Sequence, residues 1–433
     1  MKPCRPLFHI SPSKGWVNDP NGFCYFQGQY HLFAQYNPYD VKWGPMHWLH
    51  FVSKDLVHFE EVGVALKPDQ PYDQEFGCFS GSAIEKDGVL YLIYTGVNGS
   101  KQTQCVATST DGIHFTKYAG NPVIDESLLP PGYLVSDFRD PKVFQRGEDY
   151  YLLVSCRKEN MQSSILLYRS KDLLHYSFVG VVVDFEDLES NGMAECPDIL
   201  FFDSQVALIA SVQFKTPEED SYHNLHNVIY SLGQIDLETG KWIPSTPWRE
   251  LDHGFDVYAT QTIQGEKGQN YLVYWENMWD DDLYPDREEG FCGTFSTVRP
   301  IRIVGEHLRM GFLEPYQSKK EYLHFTAHVN GKEGKIVFGD DFSLTLHPEE
   351  NLVTFTRFPG RGVITNKYGH DRMERSFKVA FHDHQVEIEA LIDTSCAELC
   401  FEGGRVSFSS RIYGCSDFTF DSLRLENVEI DKK

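Results

Sequence analysis

Three acidic residues of this chain stand in settings that could carry acid–base chemistry. Asp19 lies in Asn18-Asp19-Pro20-Asn21-Gly22, Asp140 in Phe138-Arg139-Asp140-Pro141, and Glu195 in Ala194-Glu195-Cys196-Pro197-Asp198. A proline follows each acid by one or two positions. It removes a backbone donor and sets φ, as suits a strand entered from a loop. Two converging carboxylates are the equipment of glycoside hydrolysis, one acting as nucleophile or base and the other as acid. A third can bind substrate hydroxyls and stabilise an oxocarbenium-like charge. Glu195 suits the acid/base, because the longer side chain reaches a leaving-group oxygen. Its neighbours Met193, Ala194 and Cys196 predict a raised pKa, with Cys196 as a tuning neighbour rather than a nucleophile. Asp19, beside the donor Asn18, suits an ionised nucleophile.

These roles require that residues far apart in sequence meet, and an internal repeat supplies the means. Polar, mostly Gly-containing turns followed by apolar runs recur within Tyr25–Phe33, Glu85–Tyr94, Phe144–Val154, Phe201–Ile209 and Gln264–Tyr274. Each reads as a hairpin. Taking Tyr30, Tyr91, Tyr151, Val206 and Tyr271 as equivalent points gives a period of roughly 60 residues. A second pattern interleaves, with histidines at His58, His114 and His175, each three residues after an aspartate. Five units of several short strands each predict a five-bladed β-propeller. Eleven residues before the five equivalent points stand Asp19, Ser80, Asp140, Glu195 and Thr260, with Tyr258 two residues before the last. Residues at one phase of successive blades share height and radius about the propeller axis. The three acids are therefore expected in one funnel.

From about residue 318 the repeat fades. Segments from Glu321–Val329 to Phe418–Ile430 alternate apolar and polar residues between turns such as Asn330-Gly331 and Gly403-Gly404, which predicts a β-sandwich. The expected fold is all-β: a propeller over residues 1–310, a linker within 311–320 and a C-terminal sandwich over 318–433. The formal net charge of -24 argues against nucleic acid and anionic membrane as partners. No run of 18 apolar residues is present to span a bilayer. The segment Met1–Pro6 carries no apolar stretch of a secretory signal, and the ten cysteines show no Cys-x-x-Cys pair. Buried thiols in a cytoplasmic protein are expected, as monomer or homodimer.

The motifs together resemble glycoside hydrolase family 32, the invertase, fructanase and sucrose-6-phosphate hydrolase group. They are Trp16-Val17-Asn18-Asp19-Pro20-Asn21-Gly22, Gln35-Tyr36-Asn37-Pro38, Trp43-Gly44, Ser80-Gly81-Ser82, Phe138-Arg139-Asp140-Pro141 and Glu195-Cys196-Pro197-Asp198, with Ser409–Tyr413 near the chain's end. The resemblance implies a retaining β-fructofuranosidase with a five-bladed propeller and an appended sandwich, and separately no cofactor or metal is expected. It makes Asp19 the nucleophile, Asp140 the transition-state stabiliser and Glu195 the acid/base. Asn18, Gln35, Trp43, Phe79, Ser80, Arg139, Tyr258 and Trp275 become substrate-binding residues. Departures from the family pattern include Leu49, Thr260, Thr297–Pro300 and the loop Phe214–Tyr222, none of which touches the acids.

The expected substrate is sucrose 6-phosphate or sucrose. The phosphorylated form is favoured by a cytoplasmic setting, with Lys42, His47 or His50 as phosphate contacts. The rival readings are an exo-fructanase acting on fructo-oligosaccharides and a non-catalytic carbohydrate-binding propeller. The intact acid trio argues against the second. His47-x-x-His50, His223-x-x-His226, His382-x-His384 and Asp280–Asp282 are weak metal patterns, and each is read as structural.

Overall fold

The structure is a computed structural model describing residues 4–189, 191–265, 268–279, 284–358, 372–413 and 419–433. The Asp280–Asp282 run lies outside the described residues. The chain is all-β. Among the described residues the strands form seven sheets, and the one α-helix is the four-residue turn Glu314–Gln317.

Five sheets succeed one another along the chain. Their first strands are Gly15–Phe26, Gly77–Lys86, Tyr133–Arg146, Ala194–Phe201 and Val257–Gln264. Each of these strands contacts the next, and the fifth contacts the first, so they stand in a closed ring. The strands build outward by antiparallel pairing. In the first two sheets the opening hairpin turns on Gln27-Gly28 and Asp87-Gly88, both residues of each pair having positive φ. That is the primed turn whose twist matches the flanking strands. The chain also sews the ring shut. Phe291–Cys292 pairs in parallel with Gly15–Trp16, and the Phe295 N–H donates to the Ile10 carbonyl.

Between neighbouring sheets lie apolar clusters, such as Phe144, Leu153, Leu167, Ala194 and Leu208 between the third and fourth. The 60-residue period therefore has a packing cause. One sheet cannot bury both its faces alone, and a neighbour of the same size covers it. The histidine pattern marks the outer turns. Asp55, Asp111 and Asp172 accept from backbone N–H groups two and three residues on, and from His58, His114 and His175 Nδ1 at 2.7–2.8 Å.

The remaining two sheets, each five-stranded, use residues from Tyr322 onward and enclose one core rich in stacked Phe, including Phe342, Phe355, Phe377 and Phe408. Phe255, which precedes the fifth inner strand, enters this core. Among the described residues no disulfide forms, and no helix is long and apolar enough to cross a membrane.

Candidate active site

Each inner strand departs from regular pairing at the same level. Register shifts fall between Val17 and Pro20, Phe79 and Gly81, Arg139 and Lys142, Glu195 and Asp198, and Tyr258 and Thr260. A bulge lets two residues face one on the partner strand and re-aims a side chain. Asp140 (φ 63), Cys196 (φ 45) and Ala259 (φ 44) take left-handed backbone there, a costly choice for side-chain-bearing residues. The result is that Asp19, Ser80, Asp140, Glu195 and Tyr258 all line one pocket of about 590 Å³. Thr260, the fifth residue at the expected phase, does not line it and is buried behind the bulge.

Asp19 is held from three sides. Asn18 Nδ2 donates to Oδ1 at 3.0 Å, while the Ser80 hydroxyl and the Cys196 thiol (3.6 Å) donate to Oδ2. Trp16 Nε1 fixes Asn18 in turn at 2.9 Å. Asp140 accepts from the Cys196 N–H at 3.0 Å, and its own N–H donates to Thr95 Oγ1 at 3.1 Å. Glu195 is more heavily bonded. Arg139 Nε and Nη2 donate to Oε1 at 3.0 and 2.8 Å, and Gln213 Nε2 and the Tyr258 hydroxyl donate to Oε2 at 2.8 and 2.7 Å.

Two expectations are corrected by these contacts. Cys196 does not tune Glu195. Its thiol and N–H face Asp19 and Asp140, and burial raises its pKa well above the usual range, so it stays a donor. Nor is Glu195 raised. Burial pushes it up, but the Arg139 charge, then the Tyr258 and Arg139 hydrogen bonds, outweigh burial and hold it below its usual value. Asp19 moves the other way: burial raises it, the Ser80 bond opposes, and the Glu195 charge adds to the rise. Asp140 is also raised, by burial first, against the pull of Arg139 and with the charges of Glu195 and Asp19. Three carboxyls thus share one guanidinium, which lies nearest Glu195 and holds its pKa down while those of the two aspartates are pushed up.

Every expected substrate-binding residue lines the pocket: Asn18, Gln35, Trp43, Phe79, Ser80, Arg139, Tyr258 and Trp275. They differ in what they can offer a sugar. Trp43 is 49% exposed and stands against Phe79, edge to face, whereas Gln35 spends its amide N–H on the Cys78 carbonyl. Trp275 is 1% exposed and stacks parallel on Trp279, centroids 5.9 Å apart. Trp48 is fully buried and off the pocket. Sequence reasoning missed Gln102, Asp137, Gln213 and Trp279, which also line it. Gln213 ends the strand paired with Glu195's, so sheet pairing was the available signal.

Two groupings of described residues bring potential metal ligands together: His9, Glu276 and Cys396, and Asp19, Asp140 and Cys196. In the second the Cys196 thiol lies 3.6 and 3.7 Å from Asp19 and Asp140 as a hydrogen-bond donor.

Comparison with known proteins adds relatives to this geometry. The family description "Glycosyl hydrolases family 32 N-terminal domain" matches residues 9–311. A sucrose-6-phosphate hydrolase of Zymomonas mobilis subsp. mobilis is 36% identical over 321 residues, covering 70% of this chain and only 61% of that protein. The sucrose-6-phosphate hydrolase of Bacillus subtilis is 36% identical over 440 residues, covering 95% of this chain and 89% of that protein. The solved GH32 β-fructofuranosidase of Bombyx mori superposes with a TM-score of 0.84 at 32% identity, covering 98% of this chain and 92% of that one.

Proposed function

The chain belongs to glycosyl hydrolase family 32, and from that premise we propose that it is a retaining β-fructofuranosidase with Asp19 as nucleophile and Glu195 as acid/base. The observation that carries the reading is the delivery of three acids, from three different inner strands, to one pocket. In the same proposal the five ringed sheets are the blades of a propeller over residues 1–310, and residues 318–433 are a sandwich. The working compartment is the reducing cytoplasm, a reading supported by the nine cysteines among the described residues, all buried and free.

The chemistry is a double displacement. An Asp19 carboxylate oxygen attacks the anomeric carbon of the fructosyl unit. The bond to the glycosidic oxygen breaks, and Glu195 gives that oxygen its proton. Water then attacks the same carbon, Glu195 takes the water's proton, and the bond to Asp19 breaks. Asp140, fixed through its N–H and by the Cys196 N–H, accepts fructosyl hydroxyls. Hydroxyls donating to Asp140 and Asp19 stabilise both as anions. Two ionised aspartates in turn raise the proton affinity of Glu195, beside the leaving oxygen.

The leaving group is read from charge. Among the described lining residues Arg139 is the single cation against four acids, and four of its five N–H donors go to Glu195, Asp137 and Gln102. Of the three phosphate candidates, His50 is sealed against Phe33 and His31 and driven by burial to about 3. His47 is buried and lowered by burial, and Lys42 is exposed off the pocket. An uncharged leaving group suits this lining better than a phosphorylated one. Product analysis on sucrose, sucrose 6-phosphate and kestose, with the anomeric configuration followed by NMR, tests the proposal. Fructose should leave as the β-anomer first, with kcat/KM on sucrose above that on its 6-phosphate. A better rate on kestose than on sucrose favours the exo-fructanase reading, and sugar binding without release favours a binding module.

A further inference from the structure

Resting on Glu195 as acid/base, the geometry points to Tyr258 as the group that serves both of its protonation states. The Tyr258 hydroxyl lies 2.7 Å from Glu195 Oε2 and 3.1 Å from the Ser211 backbone carbonyl, so one hydrogen has two acceptors in reach. Arg139 can only donate to Glu195. A site built of such donors holds the carboxylate and leaves the carboxylic acid without an acceptor, whereas a general acid must exist as both. A phenol escapes this limit. With Glu195 ionised, Tyr258 donates to Oε2. With Glu195 protonated, the phenol hydrogen turns to the Ser211 carbonyl, and the phenol oxygen accepts the acid's O–H until the leaving-group oxygen takes it. Gln213 can follow by exchanging its amide N–H for its carbonyl.

The position is built for this work. Tyr258 is 2% exposed, and its ring packs edge-on against His226 and Trp279, so the phenol cannot swing away. Ser211 lies opposite Glu195 in the paired strands, which ties the carbonyl and the acid to one frame. Burial raises the phenol's own pKa well above the usual range, and the Glu195 charge adds to it, so the hydroxyl keeps its hydrogen. Tyr258 is therefore a positioning residue acting through Glu195. The other groups facing Glu195 are Arg139, His226, Asp19, Asp140, and Cys196 on its own strand.

The test is the pH dependence of kcat/KM on sucrose for the wild type, for Tyr258→Phe, and for protein carrying 3-fluorotyrosine at position 258. Glu195 must be protonated to act, so activity falls as pH rises through its pKa. Tyr258→Phe removes the donor of the carboxylate and the acceptor of the acid together, so kcat/KM should fall while this alkaline limb moves by less than about half a unit; a donor-only role would raise the limb by about one unit. The fluorinated phenol donates more strongly and should move it down. If Tyr258→Phe fails to fold, the fluorotyrosine protein alone decides the matter. A limb raised by about one unit in Tyr258→Phe, or a limb that does not move in the fluorotyrosine protein, overturns the proposal. Glu195→Ala provides the separate control. If its rate loss is equal on sucrose and on a fructosyl donor whose leaving group needs no proton, the reading of Glu195 itself fails, independently of Tyr258.

Discussion

At the scale of single residues, the site is an arrangement of donors around three carboxyls, and its predictions are about protons. Glu195→Ala should lose roughly 10²- to 10⁴-fold on sucrose, the usual worth of general acid–base catalysis, and far less on an activated leaving group. Steady-state kinetics on both substrates measures this. Cys196→Ser exchanges a weak S–H donor for a stronger O–H facing Asp19 and Asp140. A better donor lowers the pKa of an acid that must be ionised to attack. The acid limb of kcat/KM should therefore move to lower pH, with the alkaline limb in place. The direction of the Glu195 shift was not legible in its apolar sequence neighbours, because the side chain points away from them to Arg139 on the preceding sheet.

At the scale of elements, the working feature is the bulge repeated in all five inner strands. Spacing revealed the phase of the acids, and the prolines hinted at irregular backbone. The bulges themselves depend on which strand pairs with which, so no local pattern announces them. Thr95 shows how one is held. Its buried hydroxyl accepts from the N–H of left-handed Asp140 and donates to Gln104 Oε1 at 2.9 Å. Thr95→Val leaves the N–H and the amide oxygen without partners. It should cost about 1–3 kcal/mol in denaturant unfolding and reduce kcat, since Asp140 loses its anchor. The histidine repeat had a different meaning from the acid repeat. It fastens outer turns through exposed Asp–His pairs and has no part in the pocket.

At the scale of the whole molecule, a layer of buried charge joins the ringed sheets to the C-terminal pair. Asp256 accepts from Arg357 Nη1 (2.9 Å), from Arg372 and from the Arg411 N–H (2.8 Å), and Arg411 in turn grips Asp286 at 2.7 Å. Removing one partner strands the others without a counter-charge in low dielectric. Asp256→Ala should therefore cost about 3–5 kcal/mol, with both parts unfolding in one transition by calorimetry. The same layer sets a pH dependence. Burial lowers the His9 pKa, yet Glu276, Glu398 and Asp393 outweigh it and bring it to about 9. A histidine raised on folding stabilises fully below its ordinary value of about 6.5, and that stability is lost as pH climbs through 9. Burial, against the pull of His9 and with the charge of Glu398, brings Glu276 to about 8, a shift of the same sign. The melting temperature should fall between pH 6.5 and 9, and His9→Gln should flatten that fall.

The sequence by itself determined the period, the all-β character and the identity of the three acids, because these are written in residue type and spacing along one chain. Only the tertiary structure decided which donor meets which oxygen. Gln213, Asp137 and Gln102 reach the pocket through pairing and ring closure, and Tyr258 meets Glu195 across two sheets. Proton placement in a buried cluster depends on distances of a few ångströms between such groups, and that quantity exists only once the ring has closed.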